Sequence, residues 1–297
     1  MSVAQPVTQP VTQKDYASPV KPTWCPGCGD FGILAALKGA LVQAGLAPHE
    51  ILVVSGIGCG SKLPDYAHVN GFMTLHGRAV PIATGARLVN PGLKTLVVHG
   101  DGDGMGLGMG HFVHAARRNV ELVDLLQNNQ IYGLTKGQYS PTSDPGFVTS
   151  TSPAGALDLP VSPAALALAA GATFVARGFA GDVKHLSGLI ARALAHKGYA
   201  LMEILQPCVT FNRKNTYDWY RERVYDLEGS GYDPTDRVAA FQKALEWGDR
   251  IPLGVLYQVR LPTYEEQVAG LRMGPVATRR LEPLTAEQRE RLRAEFG

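Results

Sequence analysis

Two aspartates and an asparagine carry the first chemical signal. Asp101 and Asp103 stand in the run Gly100-Asp101-Gly102-Asp103-Gly104, and Asn129 follows Asp101 by 28 residues, with Ile131 two further on. Glycines let backbone N–H groups approach a phosphate, and a helix start behind them favours an anion. Two carboxylates in one run would repel a bare diphosphate, so a divalent cation has to intervene. Asp101 and Asn129 supply hard oxygen ligands, of which Mg²⁺ takes one or two alongside phosphate oxygens. Competing motifs fail by position. No register gives G-x-G-x-x-G, because the third glycine falls on Met105, Leu107 or Met109. There is no Gly-Lys pair for a Walker loop, and an EF-hand loop from Asp101 would need an acid at Phe112.

The four cysteines are the second signal. Cys25 and Cys28 form a Cys-Pro-Gly-Cys knuckle, Cys59 follows the apolar run Ile51 to Ser55, and Cys208 follows Ala200 to Leu205. The N-terminus has neither a basic n-region nor an apolar h-region, so the cytoplasm is the expected compartment and disulfides are not expected. A tetrathiolate set reads as zinc or iron–sulfur, and spacing does not separate the two. His111 and His114 lie one helical turn apart with no third ligand nearby, so they are expected on a helix face near the pocket.

These residues need elements to hold them. Thr95 to Val98 reads as a buried strand, the pattern to Arg118 as a helix, and Val120 to Leu126 as the next strand, ending at Asn128-Asn129. Ligands of open α/β sheets sit at such carboxyl ends. Phe31 to Leu46 reads as a helix ending at Gly45; Gly71 to Leu75 and Ala79 to Ile82 read as strand pieces around His76-Gly77-Arg78. Asp144 to Pro163 is expected as a loop over the site, followed by a helix, Ala164 to Ala170, and a strand, Thr173 to Ala176. Asp182 caps a helix to Lys197, Ala200 to Leu205 closes the sheet, and Asp236 to Trp247 is a last helix. The fold class is α/β, a doubly wound, mostly parallel sheet with helices on both faces.

The organisation reads as an extended arm over 1–20 that repeats PVTQ, a binding domain over 21–210, and a C-terminal arm over 211–297. Tyr217, Trp219, Tyr220 and Tyr225 interleave with charges in that arm, which points to contact with a partner. A formal net charge of +2 gives no support for a nucleic-acid partner, and no apolar run is long enough to cross a membrane.

GDG, the Asn129 spacing and the run NNQIYGLTKGQYSPTS, preceded by HFVHAARRN, resemble the β subunits of the 2-oxoacid:ferredoxin oxidoreductases, most closely the 2-oxoglutarate enzymes. The resemblance covers roughly residues 22 to 225. It implies thiamine pyrophosphate and Mg²⁺ on Asp101, Asn129 and Ile131, and a [4Fe-4S] cluster on Cys25, Cys28, Cys59 and Cys208. Gly58, Gly60, Gly100, Gly102, Asp103, Tyr132, Gly133, Leu134 and Thr135 would line the cofactor, with His76 and, less directly, Arg78. Lys62 and Lys136 would face the substrate. The implied reaction converts 2-oxoglutarate, CoA and oxidised ferredoxin into succinyl-CoA, CO₂ and reduced ferredoxin. An α subunit would complete a heterodimer or an α2β2 assembly and supply a glutamate this chain lacks. Three readings compete: pyruvate as substrate, a thiamine-dependent non-oxidative decarboxylase, and a zinc-stabilised binding subunit without catalysis.

Overall fold

The computed structural model describes residues 10–279 and 283–296. An eight-stranded sheet runs in the order β2-β1-β3-β4-β8-β7-β10-β9. Its strands are β1 (Ile51–Ser55), β2 (Asn70–Met73), β3 (Lys94–Gly100), β4 (Val123–Asn128), β7 (Phe174–Phe179), β8 (Ala200–Leu205), β9 (Val224–Asp226) and β10 (Ile251–Gln258). β5 (Ile131–Tyr132) and β6 (Gln138–Tyr139) form a separate antiparallel hairpin. The first six strands in sheet order are mutually parallel, whereas β10 pairs antiparallel with β7.

Strands buried on both faces need helices on both faces. α1 (Gly29–Gln43) and α5 (Val183–Ala195) cover one side, where Ile33, Leu37, Leu41, Leu186 and Ile190 pack on Leu96, Val98, Leu125 and Met202. α2 (Ala79–Val89), α3 (Met109–Arg118), α4 (Pro163–Ala170) and α7 (Arg237–Leu245) cover the other, around Val97, Phe112, Leu126, Leu168 and Leu201. The expected caps are present: Asp182 Oδ1 accepts from the His185 N–H, and Asp236 from Val238 and Ala239.

Five expectations are corrected. Ala79 to Ile82 is not a strand but the first turn of α2, where Pro81 occupies a position whose missing N–H breaks no intrahelical bond. β8 does not close the sheet; it lies between β4 and β7, and β10 and β9 extend the sheet beyond. The chain after 211 is therefore more than an arm. Its aromatics also pack inward: Tyr220 is fully buried and, with Trp219 and Trp247, lies against Phe179 and Ile251. The described part of the N-terminal arm is likewise packed: Tyr16 is fully buried and donates to the Leu46 carbonyl. The first PVTQ copy, from Pro6, begins in residues 1–9, outside the described residues. The glycine run after β3 is no open loop either, because Gly102–Leu107 winds as a π turn directly into α3.

Candidate functional site

Register aligns the strand ends. Gly100 of β3 pairs with Gln127 of β4, and Asn128 of β4 with Leu205 of β8, so the segments following β1, β3, β4 and β8 meet at one edge. Side chains alternate along a strand. Gln127 and Gln206 therefore project toward the α1 side, where Cys28 precedes α1 at its first residue, Gly29. His99, Asp124 and Asn128 project toward α3 and α4.

Two cavities open at this edge. One is lined by Gly58, Cys59, Gly60, His76, Gly100, Asp101, Gly102, Asp103, Asn129, Ile131, Tyr132, Gly133, Leu134 and Thr135, all singled out from the sequence, together with Ile57, Gln127 and Gln206. This chain encloses about 70 Å³ of it. Asp101 is buried, and its Oδ2 accepts from the Ser140 hydroxyl and, at 2.6 Å, from Thr142. Burial pushes its carboxyl up, opposed by these hydroxyls and the Asn129 N–H. A buried carboxylate raised in this way gains from a cation beside it. Asp103 has a different task. Its Oδ1 accepts from the N–H groups of Ile57 (3.0 Å) and Gly77 (2.8 Å) and lies 2.7 Å from His76 Nδ1, so one carboxylate ties three loops together. Gly102 admits no side chain, since a Cβ would lie 2.3 Å from the Tyr132 ring. The Tyr132 hydroxyl closes that contact by donating to the Gly102 carbonyl at 3.0 Å.

Behind Asp103 lies a polar chain the sequence did not announce. His99 Nε2 is 2.7 Å from Asp124 Oδ1, and the Tyr199 hydroxyl donates to Asp124 Oδ2 at 2.5 Å, all of it buried. Burial works to lower the His99 pKa, but the carboxylates of Asp124, Asp103 and Asp101 outweigh it and the net shift is upward. A raised histidine stabilises the fold fully below the ordinary imidazole value, and this is lost as pH rises through the raised one. His99→Leu strands a buried carboxylate and is expected to cost about 3–5 kcal/mol. Urea unfolding checks this; a loss below about 1 kcal/mol would mean that Asp124 needs no cation.

The second cavity, of about 200 Å³, carries all four cysteines and both candidate lysines, Lys62 and Lys136. Cys28 and Cys208 are buried, Cys59 half-buried and Cys25 exposed. A side chain at Gly133, on the hairpin between the cavities, would sit 3.6 Å and 3.7 Å from the sulfurs of Cys59 and Cys208. Burial, then the charges of Asp30 and the other cysteines, pushes the Cys59 thiol up to about 11, and burial pushes Cys28 higher still. Thiolates crowded this way are stabilised by a bound metal centre. Among the described residues no three His, Cys, Asp or Glu side chains converge on a point that would hold a single ion. Lys62 Nζ donates to Thr23 Oγ1 at 3.3 Å, and Lys136 holds a left-handed backbone at φ 76° in the hairpin turn.

Not every candidate arrives. Arg78 lies outside both cavities and donates to His111 Nε2. The segment after Asp144 does not line the Asp101 cavity; Pro160 to Pro163 wall a neighbouring one beside Arg177 and Trp247. Reasoning from sequence also missed Gln127, buried with neither amide atom partnered, and the Asp101 partners Ser140 and Thr142. A glutamine inside an otherwise apolar strand run was the available signal for Gln127.

Comparison with known proteins agrees with this geometry. Residues 56–204 match the model described as thiamine pyrophosphate enzyme, C-terminal TPP binding domain, and residues 208–273 match the C-terminal region of the pyruvate ferredoxin oxidoreductase beta chain family. A 2-oxoacid:ferredoxin oxidoreductase subunit beta from a Sulfolobus species is 49% identical over 82% of this chain and 85% of its own. The 2-oxoglutarate oxidoreductase subunit KorB of Mycobacterium tuberculosis is 49% identical over 69% of this chain and 55% of its own. The 2-oxoglutarate:ferredoxin oxidoreductase of Magnetococcus marinus, solved with 2-oxoglutarate, coenzyme A and succinyl-CoA bound, superposes with a TM-score of 0.86. It is 42% identical and the match covers 89% of this chain and 90% of that one. The chain belongs to the family of 2-oxoacid:ferredoxin oxidoreductase β subunits.

Proposed function

We propose that this subunit holds thiamine pyrophosphate through Mg²⁺ on Asp101, Asn129 and Ile131, and a [4Fe-4S] cluster on Cys25, Cys28, Cys59 and Cys208. With its α subunit it oxidatively decarboxylates 2-oxoglutarate to succinyl-CoA in the cytoplasm, passing electrons to ferredoxin, and runs the reverse carboxylation. The observation that carries this reading is the shared wall: Cys59, Asn129, Gly133, Leu134 and Gln206 line both cavities at once. A one-electron carrier built against the cofactor cavity is what a non-oxidative decarboxylase does not need. Four sulfurs around a cavity of about 200 Å³, rather than around a point, favour a polynuclear cluster over zinc.

When bound, thiamine pyrophosphate supplies the carbanion that adds to a 2-oxo carbon and accepts the electrons of the broken C–C bond. This chain does the positioning. Asp101 and Asn129 would fix the cation, and the backbone N–H groups of Gly102 and Asp103 would meet the phosphates. Asp103 holds His76 at the cavity wall, and Lys62 with Lys136 would pair the carboxylates of a dicarboxylate. The 70 Å³ enclosed here accommodates a cation with phosphate oxygens but not a whole cofactor, whose remainder would lie against the α subunit. The test is turnover of the assembled complex. Ferredoxin reduction should require both 2-oxoglutarate and CoA, and exceed that with pyruvate. Release of the free aldehyde without ferredoxin reduction would favour the non-oxidative reading, and a pyruvate preference would move the substrate assignment.

A further inference from the structure

Gln206 stands immediately after β8 and two residues before Cys208. It is 2% exposed and lines both cavities. Its backbone N–H donates to the Asn128 carbonyl at 2.9 Å, which locks the residue to the end of β4. From there the side chain crosses the start of α1 and donates Nε2–H to the sulfur of Cys28 at 3.3 Å. Gly29 makes the crossing possible, since a Cβ there would lie 2.8 Å from Gln206 Cγ. The amide must present its nitrogen, because a carbonyl oxygen facing sulfur lone pairs would be repelled. The other polar group at that sulfur is the Asp30 carboxylate, 3.4 Å away and buried. Cys28 is thus a buried sulfur with one carboxylate and one amide donor beside it.

We propose that Gln206 tunes the iron–sulfur cluster held on Cys28, keeping its reduction potential high enough to accept electrons from the neighbouring cofactor cavity. This rests on the cluster reading given above. Reduction adds negative charge to the cluster and its sulfurs, and an N–H donor stabilises the more negative state. Gln206 touches no reacting carbon; it acts through Cys28 and is a positioning and tuning residue.

The experiment is a redox titration of the cluster by electron paramagnetic resonance in the assembled holo-complex, for wild type, Gln206→Leu and the isosteric Gln206→Glu. Both variants lack the N–H donor. Each should favour the oxidised cluster by roughly tenfold, about 59 mV for one electron. Iron content should stay at the wild-type level, and Gln206→Glu should shift at least as far because it adds an acceptor. A purely structural role would leave the potential of the loaded cluster where it was. Wild-type potential in both iron-loaded variants overturns the proposal. Wild-type complex without iron overturns the underlying cluster reading instead, so the two failures are distinguishable.

Discussion

Asp101→Asn is expected to weaken thiamine pyrophosphate binding by more than about 100-fold at limiting Mg²⁺, since loss of even an outer-shell partner costs 10–100-fold in metal affinity. The asparagine keeps an oxygen to accept from Ser140 and Thr142, so the local hydrogen bonds survive while the charge does not. Stability should respond differently from binding. Because burial raises the Asp101 carboxyl, the cation-free folded state binds its proton more tightly than the unfolded chain does. Its contribution is therefore fully present below the ordinary carboxylate value and is lost as pH rises through the raised one. In cation-free protein at neutral pH, Asp101→Asn should unfold no more easily than wild type. Calorimetric titration of the assembled complex reads the binding; unchanged affinity at limiting Mg²⁺ would remove Asp101 from the ligand set.

Lys62→Ala is expected to lower kcat/KM for 2-oxoglutarate in the assembled complex by roughly 30- to 1,000-fold. That range converts about 2–4 kcal/mol for losing a desolvated, charge-assisted contact. Lys62 and Lys136 line one cavity beside the cysteines, so two ammonium groups reach the same space. A dicarboxylate gives both a partner, and a buried charge needs one. The loss for pyruvate, with its single carboxylate, should be smaller where Lys136 holds it. Full activity in Lys62→Ala would mean that the lysine only bonds Thr23.

The ligating side chains were legible because their types are rare and their spacing is local. Four cysteines and a Gly-Asp-Gly run admit few chemistries, and the structure groups them as those chemistries require. What surrounds them was hidden by long-range register. His99 acquires meaning only when β4 brings Asp124 alongside, and Gln206 only when α1 starts beneath it. β10 was missed because Pro252 and Gly254 interrupt its apolar run, and β9 has only three residues. Tyr220 reads as a surface aromatic because the charges around it face solvent, yet its own ring closes the core under β10.

The central claim is that the four thiols beside the cofactor cavity hold an iron–sulfur cluster that takes its electrons. Iron and acid-labile sulfide in anaerobically purified protein test it most directly. About four of each per chain are expected, carried by a single cluster. One zinc per chain, with neither iron nor sulfide, would contradict it.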